Sequence, residues 1–263
     1  MKIGIVGLGY VGSAVAASYN DADICINDPL HPDKSVSIDH MKTTCDAIFI
    51  CVPTPQSDTG ACDTSILESV ITNLAGYEGV VISKSTASPL IYQQLEANSG
   101  LKLAHVPEFL TQANAINDYL KPKKIVIGCK KNIVDEVTNI VLNSKIEFSG
   151  AVECCSISEA SFFKYMANTF LAMKVIMNNE YYDLAQKMNL DWNVLKDIAK
   201  TDSRLGDSHW NVPGPDGSRG FGGACFPKDS SALLNLSNQL NIDMNMLDTS
   251  LIKNKKYKRI TAI

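Results

Sequence analysis

The stretch that decides the fold, residues 2–12, reads K-I-G-I-V-G-L-G-Y-V-G. Its first half, residues 2–6, is a short run rich in β-branched side chains, which predicts a buried parallel strand. Its second half has the spacing G-x-G-x-x-G, formed by Gly7, Gly9 and Gly12. Residues 11–19 have small side chains and predict a helix, so the glycines would form the turn between strand and helix.

An acidic residue lies at the distance that a dinucleotide-binding turn requires. A second short strand is predicted at residues 24–26, and Asp28 follows it, 21 residues after Gly7. The turn would place a pyrophosphate at the helix N-terminus, where free N–H groups favour anions. The Asp28 carboxylate would bind a ribose diol, which favours NAD over NADP. The alternative is a glycine turn that serves only as a tight connection.

Strands and helices continue to alternate up to residue 148, which predicts an α/β fold with a Rossmann-like doubly wound sheet in residues 1–155. Further strands are predicted at 47–52, 80–83, 103–106, 125–129 and 145–148, with helices at 64–74 (N-capped by Asp63), 89–97 and 132–142. In such sheets ligands bind at the carboxyl edge of the strands. Three strand ends bring polar residues there, namely Thr54, Thr86 and Glu108, although each alone is also a common turn residue.

From residue 156 the pattern changes, and residues 156–263 predict an all-helical central domain. Residues 158–187 contain no Gly or Pro and predict one long helix, apolar around most of its surface, which favours a place between domains or in a homodimer. Lys164 and Asn168 share a face of this helix and are candidate oxyanion donors. The alternative is a lysine that reaches solvent and a structural amide. Shorter helices are predicted at 192–200, 230–241 and from 244.

A cysteine on a glycine-rich loop is the candidate nucleophile. Residues 220–229 read G-F-G-G-A-C-F-P-K-D, and the cysteine is Cys225. Lys228 would favour its thiolate, and Asp229 would transfer a proton. The alternative is a cysteine that only packs. The preceding loop, 203–219, contributes two candidate phosphate-binding side chains, Arg204 and Arg219, unless both are solvated charges.

Composition excludes several classes of function. The chain has 263 residues, a net charge of −4, 45% apolar and 20% charged residues. This acidic balance argues against a nucleic-acid surface, and no apolar run approaches the ~20 residues of a membrane span. Eight cysteines without a C-x-x-C or a zinc-ligand spacing predict reduced thiols in the cytoplasm and no metal site.

Several blocks of the chain together resemble the UDP-glucose/GDP-mannose dehydrogenase family. They are G-L-G-Y-V-G (7–12), C-V-P-T-P (51–55), K-S-T (84–86), P-E-F-L (107–110), K-Y-M-A-N-T-F-L-A-M-K (164–174), N-E (179–180) and G-F-G-G-A-C-F-P-K-D (220–229). The resemblance covers essentially the whole chain, and the motifs are most like those of members that act on UDP-glucose.

The resemblance implies an NAD-dependent four-electron oxidation of a nucleotide sugar at carbon 6, which yields UDP-glucuronate for polysaccharide biosynthesis. It implies catalytic roles for Cys225 as nucleophile, for Lys164 and Asn168 as oxyanion donors, for Asp229 in proton transfer, and for Thr86 and Glu108 at the hydrolytic water. The implied NAD contacts are Gly7, Gly9, Tyr10, Val11, Gly12, Asp28, Val52, Pro53, Thr54, Ser85, Thr86 and Lys228. The implied substrate contacts are Glu108, Phe109, Leu110, Lys164, Asn168, Arg204, Arg219, Phe221, Gly222 and Cys225.

Three departures from the family pattern accompany the resemblance. The family's usual C-terminal nucleotide-sugar-binding domain has no counterpart before Ile263, so we expect a compact form of the kind found in viral genomes, active in the host cytoplasm if virally encoded. Gln112 and Ser161 stand where the family often has glutamates. Open alternatives are the same chemistry on GDP-mannose or a UDP-N-acetylhexosamine, a non-catalytic NAD-binding remnant, and one part of a two-chain enzyme.

Overall fold

The computed structural model describes the backbone of residues 1–260 and the side chains of residues 1–257. The chain divides into two compact units: unit 1 comprises residues 1–55 and 62–164, and unit 2 comprises residues 56–61 and 165–263. The predicted domain boundary after residue 155 stays a prediction.

Unit 1 is built on a seven-stranded sheet with the strand order β2-β1-β3-β4-β5-β6-β7. Its strands are β1 (Ile3–Val6), β2 (Ile24–Asn27), β3 (Ala47–Ile50), β4 (Val80–Ser83), β5 (Lys102–His105), β6 (Ile125–Cys129) and β7 (Val152–Cys155). Neighbouring strands pair in parallel except β5 and β6, which are antiparallel. The order reverses between β1 and β3, so their carboxyl ends form the switch point where ligands of such sheets bind.

Helices cover both faces of this sheet. They are α1 (Tyr10–Ala17), α2 (Ile38–Thr44), α3 (Ser65–Asn73), α4 (Pro89–Asn98), α5 (Ala115–Leu120) and α6 (Val134–Leu142). One buried cluster joins the sheet to α1, α5 and α6, and a second joins it to α2, α3 and α4. In β3, Phe49 belongs to the first cluster while Ile48 and Ile50 belong to the second. Burial on both faces explains why the central strands are almost continuously apolar. The Rossmann-like fold class is confirmed.

The prediction of a last strand at residues 145–148 is wrong. The backbone N–H groups of Lys145 and Glu147 donate to the carbonyls of Ser18 and Leu120, which lie at the C-terminal ends of α1 and α5 and not in a strand. Ile146 and Phe148 pack against the core from an irregular segment. The last strand is β7, which the sequence V-E-C-C did not indicate because it is a largely exposed edge strand with only one β-branched residue.

Two helix starts also differ from the prediction. The N-cap of α3 is Thr64, not Asp63, although the Asp63 carboxylate still accepts a hydrogen bond from the Ser65 N–H at 3.0 Å. A later helix, predicted from residue 230, begins at Phe226, so its N-cap is Cys225. Pro227 in the first turn and Asp229 shortly after it are the helix-start residues that the prediction overlooked.

Unit 2 is helical in the part that the structure describes. Its helices are α7 (Ile157–Lys187, whose first residues up to Lys164 belong to unit 1), α8 (Trp192–Thr201), α9 (Phe226–Gln239) and α10 (Asn245–Ile260). Ala172 and Ile176 of α7 pack with Phe221 and Tyr257. The predicted long helix and the helical character of the second half are confirmed.

Candidate functional site

The glycine turn after β1 is shaped by close backbone contacts. Gly7 has φ +90°, and a Cβ there would lie 2.7 Å from the carbonyl oxygen of Cys51. A Cβ on Gly12 would lie 1.9 Å from the carbonyl oxygen of Gly7. In contrast, a Cβ on Gly9, the N-cap of α1, would meet no atom of the described residues within 4 Å. The turn is therefore closely packed at Gly7 and Gly12 and open at Gly9. Because Gly9 lies at the positive end of a helix, this open space fits a pyrophosphate.

Asp28 lies beside this turn and is almost completely buried. Its Oδ2 accepts a hydrogen bond from the Leu8 N–H at 2.5 Å, and its Oδ1 accepts one from the Leu30 N–H at 2.7 Å. The carboxylate is thus fixed against the glycine turn. Because each carboxylate oxygen has two lone pairs, both retain one acceptor position for the hydroxyls of a ribose.

Two side-chain hydrogen bonds join the loops that follow β3 and β4. The Thr54 hydroxyl donates to the Thr86 carbonyl at 2.7 Å, and the Ser85 hydroxyl donates to the Val52 carbonyl at 2.7 Å. The structure therefore brings together two groups of predicted cofactor-site residues that are about thirty positions apart. Both loops lie at the carboxyl edge of the sheet, next to the switch point.

Glu108 and Lys164 form an ion pair in the interior of unit 1. Their side chains are 6% and 4% exposed, and Lys164 Nζ lies 3.0 Å from Glu108 Oε1. The same ammonium donates to the Glu108 carbonyl, and Glu108 Oε2 accepts a hydrogen bond from the Leu110 N–H at 2.9 Å. The ring of Phe109 lies 5.3 Å from Lys164 Nζ. The P-E-F-L motif thus encloses one lysine, an arrangement that the sequence did not reveal.

The two departures from the family pattern have different surroundings. The Ser161 hydroxyl is buried and donates to the Ala87 carbonyl at 2.6 Å, so it ties the start of α7 to the loop after β4. Gln112 is exposed in a short 3₁₀ turn. Ser161 therefore has a structural hydrogen bond, whereas Gln112 lies at the surface.

In unit 2 the glycine-rich segment leads into α9. Gly220 and Gly223 both have positive φ, +73° and +75°, which only glycine adopts readily. The Asn254 amide bonds both backbone groups of Phe221: its Oδ1 accepts from the N–H at 2.7 Å, and its Nδ2 donates to the carbonyl at 3.0 Å. The segment is held from α10 and delivers Cys225, half-buried, to the helix start.

Asp229 is the centre of a buried polar cluster in unit 2. Its carboxylate is 1% exposed; Oδ2 accepts from the Asn168 amide at 2.6 Å, and Oδ1 lies 2.7 Å from Lys228 Nζ. Its N–H donates to the Cys225 carbonyl at 2.8 Å. Four predicted catalytic or cofactor residues of unit 2 therefore lie together. Asn168 keeps a second amide N–H for a ligand.

The two candidate arginines of the 203–219 loop behave differently. Arg204 is largely exposed and pairs with Asp202 at 2.6 Å. Arg219 is enclosed by α7 and α10: it donates to the Asn179 side chain and carbonyl at 3.0 Å each and pairs with Asp183 at 2.7 Å. Their predicted role as phosphate ligands stays a prediction, and Arg219 already has a structural role.

Two residues of α7 that the sequence analysis missed hold the same loop. Lys174 Nζ donates to the carbonyls of Leu205 and Ser208 at 2.9 and 2.6 Å and lies 4.5 Å from the Trp210 ring centre. Asn178 Nδ2 donates to the His209 carbonyl at 2.9 Å. Lys174 and Asn178 are four residues apart and therefore share one face of the helix, and this spacing of two polar residues could have indicated a common contact.

Two further properties bear on function. The described residues contain no group of three or more His, Cys, Asp and Glu side chains that could hold a metal ion. Within the same residues, no helix combines the length and apolar character that crossing a membrane requires.

Comparison with known proteins decides the family. Residues 32–143 match the NAD binding domain of the UDP-glucose/GDP-mannose dehydrogenase family, and residues 158–256 match its central domain. The chain belongs to this family. The loops after β3 and β4 lie within the residues that match the NAD binding domain. The glycine turn and Asp28 precede the matched residues, and the open space at Gly9 fits the pyrophosphate of a dinucleotide.

Individual relatives of the family agree with this assignment. UDP-glucose 6-dehydrogenase AglM of Haloferax volcanii is 29% identical over 283 aligned positions, which cover 89% of this chain and 65% of the relative. The putative UDP-glucose 6-dehydrogenase YtcA of Bacillus subtilis is 31% identical over 289 positions, which cover 94% of this chain and 66% of the relative. The chain spans about half to two thirds of the length of the curated relatives it matches.

The fold is shared with solved structures of the family. A UDP-glucose dehydrogenase from the hyperthermophilic archaeon Pyrobaculum islandicum superposes with a TM-score of 0.85 at 24% identity, over 97% of this chain and 68% of that one. At this identity the likeness establishes the fold, while the sugar that this chain uses is a separate question.

Proposed function

We propose that the protein oxidises UDP-glucose to UDP-glucuronate with NAD. In the overall reaction, the alcohol at carbon 6, two NAD⁺ and one water give a carboxylate, two NADH and three protons. The observation that carries this proposal is the buried Asn168–Asp229–Lys228 cluster at the helix start that Cys225 caps, in a chain of this dehydrogenase family. UDP-glucose is chosen as the substrate because both aligned relatives are named as UDP-glucose 6-dehydrogenases.

Unit 1 would hold the cofactor. When bound, NAD accepts a hydride from the sugar. The N-terminus of α1 at Gly9 would bind the pyrophosphate, and the Asp28 carboxylate would bind the adenosine ribose. Thr54 and Ser85 join the loops after β3 and β4, so these two hydrogen bonds would hold that edge of the sheet in one conformation.

Cys225 would provide the covalent step. Its thiolate adds to the carbon 6 aldehyde, and the resulting C–S bond gives a thiohemiacetal whose hydride is lost in the second oxidation. The product is a thioester, which water cleaves to the carboxylate and the free thiol. Lys164 and the second N–H of Asn168 would stabilise the oxyanions, and Asp229 would transfer protons. Glu108 and Thr86 would orient the water.

The direct test is NADH production by the purified protein with a panel of nucleotide sugars. We expect absorbance at the NADH band with UDP-glucose, and two NADH for each UDP-glucuronate. Higher kcat/KM with GDP-mannose or a UDP-N-acetylhexosamine would change the substrate and keep the chemistry. If no sugar of the panel supports NADH formation, the proposal is overturned. If the protein binds NAD but shows no turnover, the result favours the non-catalytic remnant or a missing partner chain.

The eight cysteines support a cytoplasmic location. Six of them are free thiols in the structure, namely Cys25, Cys45, Cys51, Cys129, Cys154 and Cys155. Disulfides form and persist mainly in oxidising compartments, so a chain with six free thiols is typical of a reducing one.

A homodimer is the assembly that α7 favours. Its unit 2 portion exposes large apolar side chains at a helical spacing that places them on one stripe: Phe170, Met177, Tyr181 and Leu184, each 43–63% exposed. Continuous exposed apolar surface of this kind marks interaction sites. We therefore propose that this stripe pairs with a second copy of the chain.

The stripe predicts the effect of two substitutions. The variant Phe170→Glu/Leu184→Glu should have the mass of a monomer, 28.6 kDa, in light scattering after size-exclusion chromatography, whereas the unmodified chain should have twice that mass. Charges in an apolar interface are strongly unfavourable. Gln186→Glu, at an exposed position on another side of the helix, is the control and should stay dimeric. A monomeric unmodified chain at working concentration would contradict the dimer.

A further inference from the structure

Lys84 is a buried lysine to which the proposed mechanism assigns no role. It follows β4 directly, and its N–H donates to the Ile50 carbonyl at 2.8 Å. The residue is 6% exposed. Its ammonium lies 4.9 Å from the ring centre of Tyr119, and no carboxylate of the described residues forms an ion pair with it. A largely buried cation that is not paired with a carboxylate is costly for folding, which points to a role for Lys84 at this edge of the sheet.

The surrounding titratable groups leave the charge of Lys84 uncompensated. They are Cys51 after β3, Tyr119 of α5, His105 of β5, Glu108 after β5 and Lys164 of α7. Burial lowers the pKa of His105 to about 3, so this imidazole is neutral near neutral pH. Glu108 and Lys164 neutralise each other as an ion pair. Burial raises the pKa of the Cys51 thiol to about 12 and that of Tyr119 well above its usual value, so both are neutral near neutral pH. Burial also lowers the pKa of the Lys84 ammonium to about 8.

The strand order indicates which part of NAD approaches Lys84. Asp28, the proposed partner of the adenosine ribose, follows β2, and the pyrophosphate turn follows β1. With the order β2-β1-β3-β4, a dinucleotide held at these two points extends in the opposite direction, across β3 towards β4. The nicotinamide end therefore lies on the side of the sheet edge where Lys84 is buried.

We propose that Lys84 is a cofactor-site residue whose positive charge favours the reduced over the oxidised nicotinamide. The ring of NAD⁺ carries a positive charge and that of NADH does not, while the rest of the dinucleotide is the same. In a poorly solvated site, a cation close to the ring repels NAD⁺ selectively. The same repulsion promotes hydride transfer to NAD⁺, which the proposed function needs twice. This inference rests on the cofactor part of the proposed function and not on the identity of the sugar.

The test is the ratio of two dissociation constants, Kd for NAD⁺ over Kd for NADH, measured by calorimetry without any sugar. For the unmodified chain, we expect the ratio to fall about tenfold between about pH 6.5 and about pH 9.5, because the Lys84 ammonium is charged below its pKa and neutral above it. In Lys84→Met the ratio should be low at both pH values. In Lys84→Arg it should stay high at both, because a guanidinium remains charged.

A matched control separates this effect from a general loss of positive charge. Lys102→Met removes an exposed lysine of unit 1 that pairs with Glu136, and its ratio should follow that of the unmodified chain. Circular dichroism of each variant identifies any that fails to fold, and Lys84→Arg and Lys84→Met provide two independent readings. An unchanged ratio and pH dependence in both folded Lys84 variants would overturn the inference alone. Absence of binding of either nucleotide to the unmodified chain would overturn the cofactor part of the proposed function as well.

Discussion

Replacing Cys225 by serine should reduce the steady-state rate of UDP-glucuronate formation by about 10³-fold or more, because a hydroxyl at neutral pH is a far weaker nucleophile than a thiolate. Cys225 is the N-cap residue of α9 but makes no side-chain capping hydrogen bond, and Asn254 holds the preceding segment at Phe221. The variant should therefore fold normally, and the loss should appear in kcat. The measurement is NADH formation at saturating NAD and UDP-glucose.

Cys154→Ser is the matched control, because Cys154 is the exposed thiol on the edge strand β7. Its rate should stay within about twofold of the unmodified chain, as surface substitutions away from a site usually have small effects. A second measurement is the intact mass of protein quenched during turnover. The unmodified chain should carry a sugar-nucleotide adduct that Cys225→Ala lacks. Unchanged turnover in Cys225→Ser would refute the nucleophile role.

The second large effect is expected at the buried ion pair of unit 1. Lys164→Met leaves the Glu108 carboxylate, 6% exposed, without its cation. Removing one partner of a buried pair costs about 3–5 kcal/mol of the free energy of unfolding, since the remaining charge is neither solvated nor paired. Loss of the proposed oxyanion donor should also lower kcat by about 10²–10³-fold. Urea unfolding followed by circular dichroism and NADH formation measure the two effects.

A double replacement separates stability from catalysis. Lys164→Met/Glu108→Leu removes both charges, so most of the lost stability should return while activity should not. Lys102→Met is the control for pairing, because the Lys102–Glu136 pair is about half exposed and should contribute no more than ~1 kcal/mol. If the double variant regained activity together with stability, Lys164 would have no catalytic role.

The first strand, turn and helix of unit 1 could be predicted because an apolar run followed by this glycine spacing is compatible with few other structures. The run before Gly7 is buried on both faces, and a Cβ on Gly7 or Gly12 would lie less than 3 Å from a backbone oxygen, so strand, turn and helix were all recognisable. The edge of the sheet was harder to predict. Residues 145–148 have the composition of a strand but donate their hydrogen bonds to the C-terminal ends of two helices, whereas β7 is a strand with mostly exposed, weakly β-forming residues. Whether such a segment forms a strand depends on its hydrogen-bonding partners, and a local sequence pattern does not contain this information.

The candidate site shows the same division. Cys225, Asn168 and Asp229 were recognisable as residue types in motifs, and the structure brings the last two into a hydrogen bond at 2.6 Å. The helix α9 was predicted to start at residue 230 and not at Phe226, because a glycine-rich loop precedes it. A role for Lys84 was not predicted, since its burial and its contact with Tyr119 are properties of the folded chain. Their roles stay predictions until the variants are measured.

The 203–219 loop is tied to α7 at both ends. Lys174 and Asn178 hold its first part, and Arg219 bonded to Asn179 holds its last. Between these anchors, residues 214–218 close on themselves through hydrogen bonds from Gly214 to Ser218 and from Gly217 to Gly214. A foreign sequence grafted into that small turn would leave both anchors undisturbed. Protein engineers can thus diversify this tip in a library while the flanking arginine keeps its position.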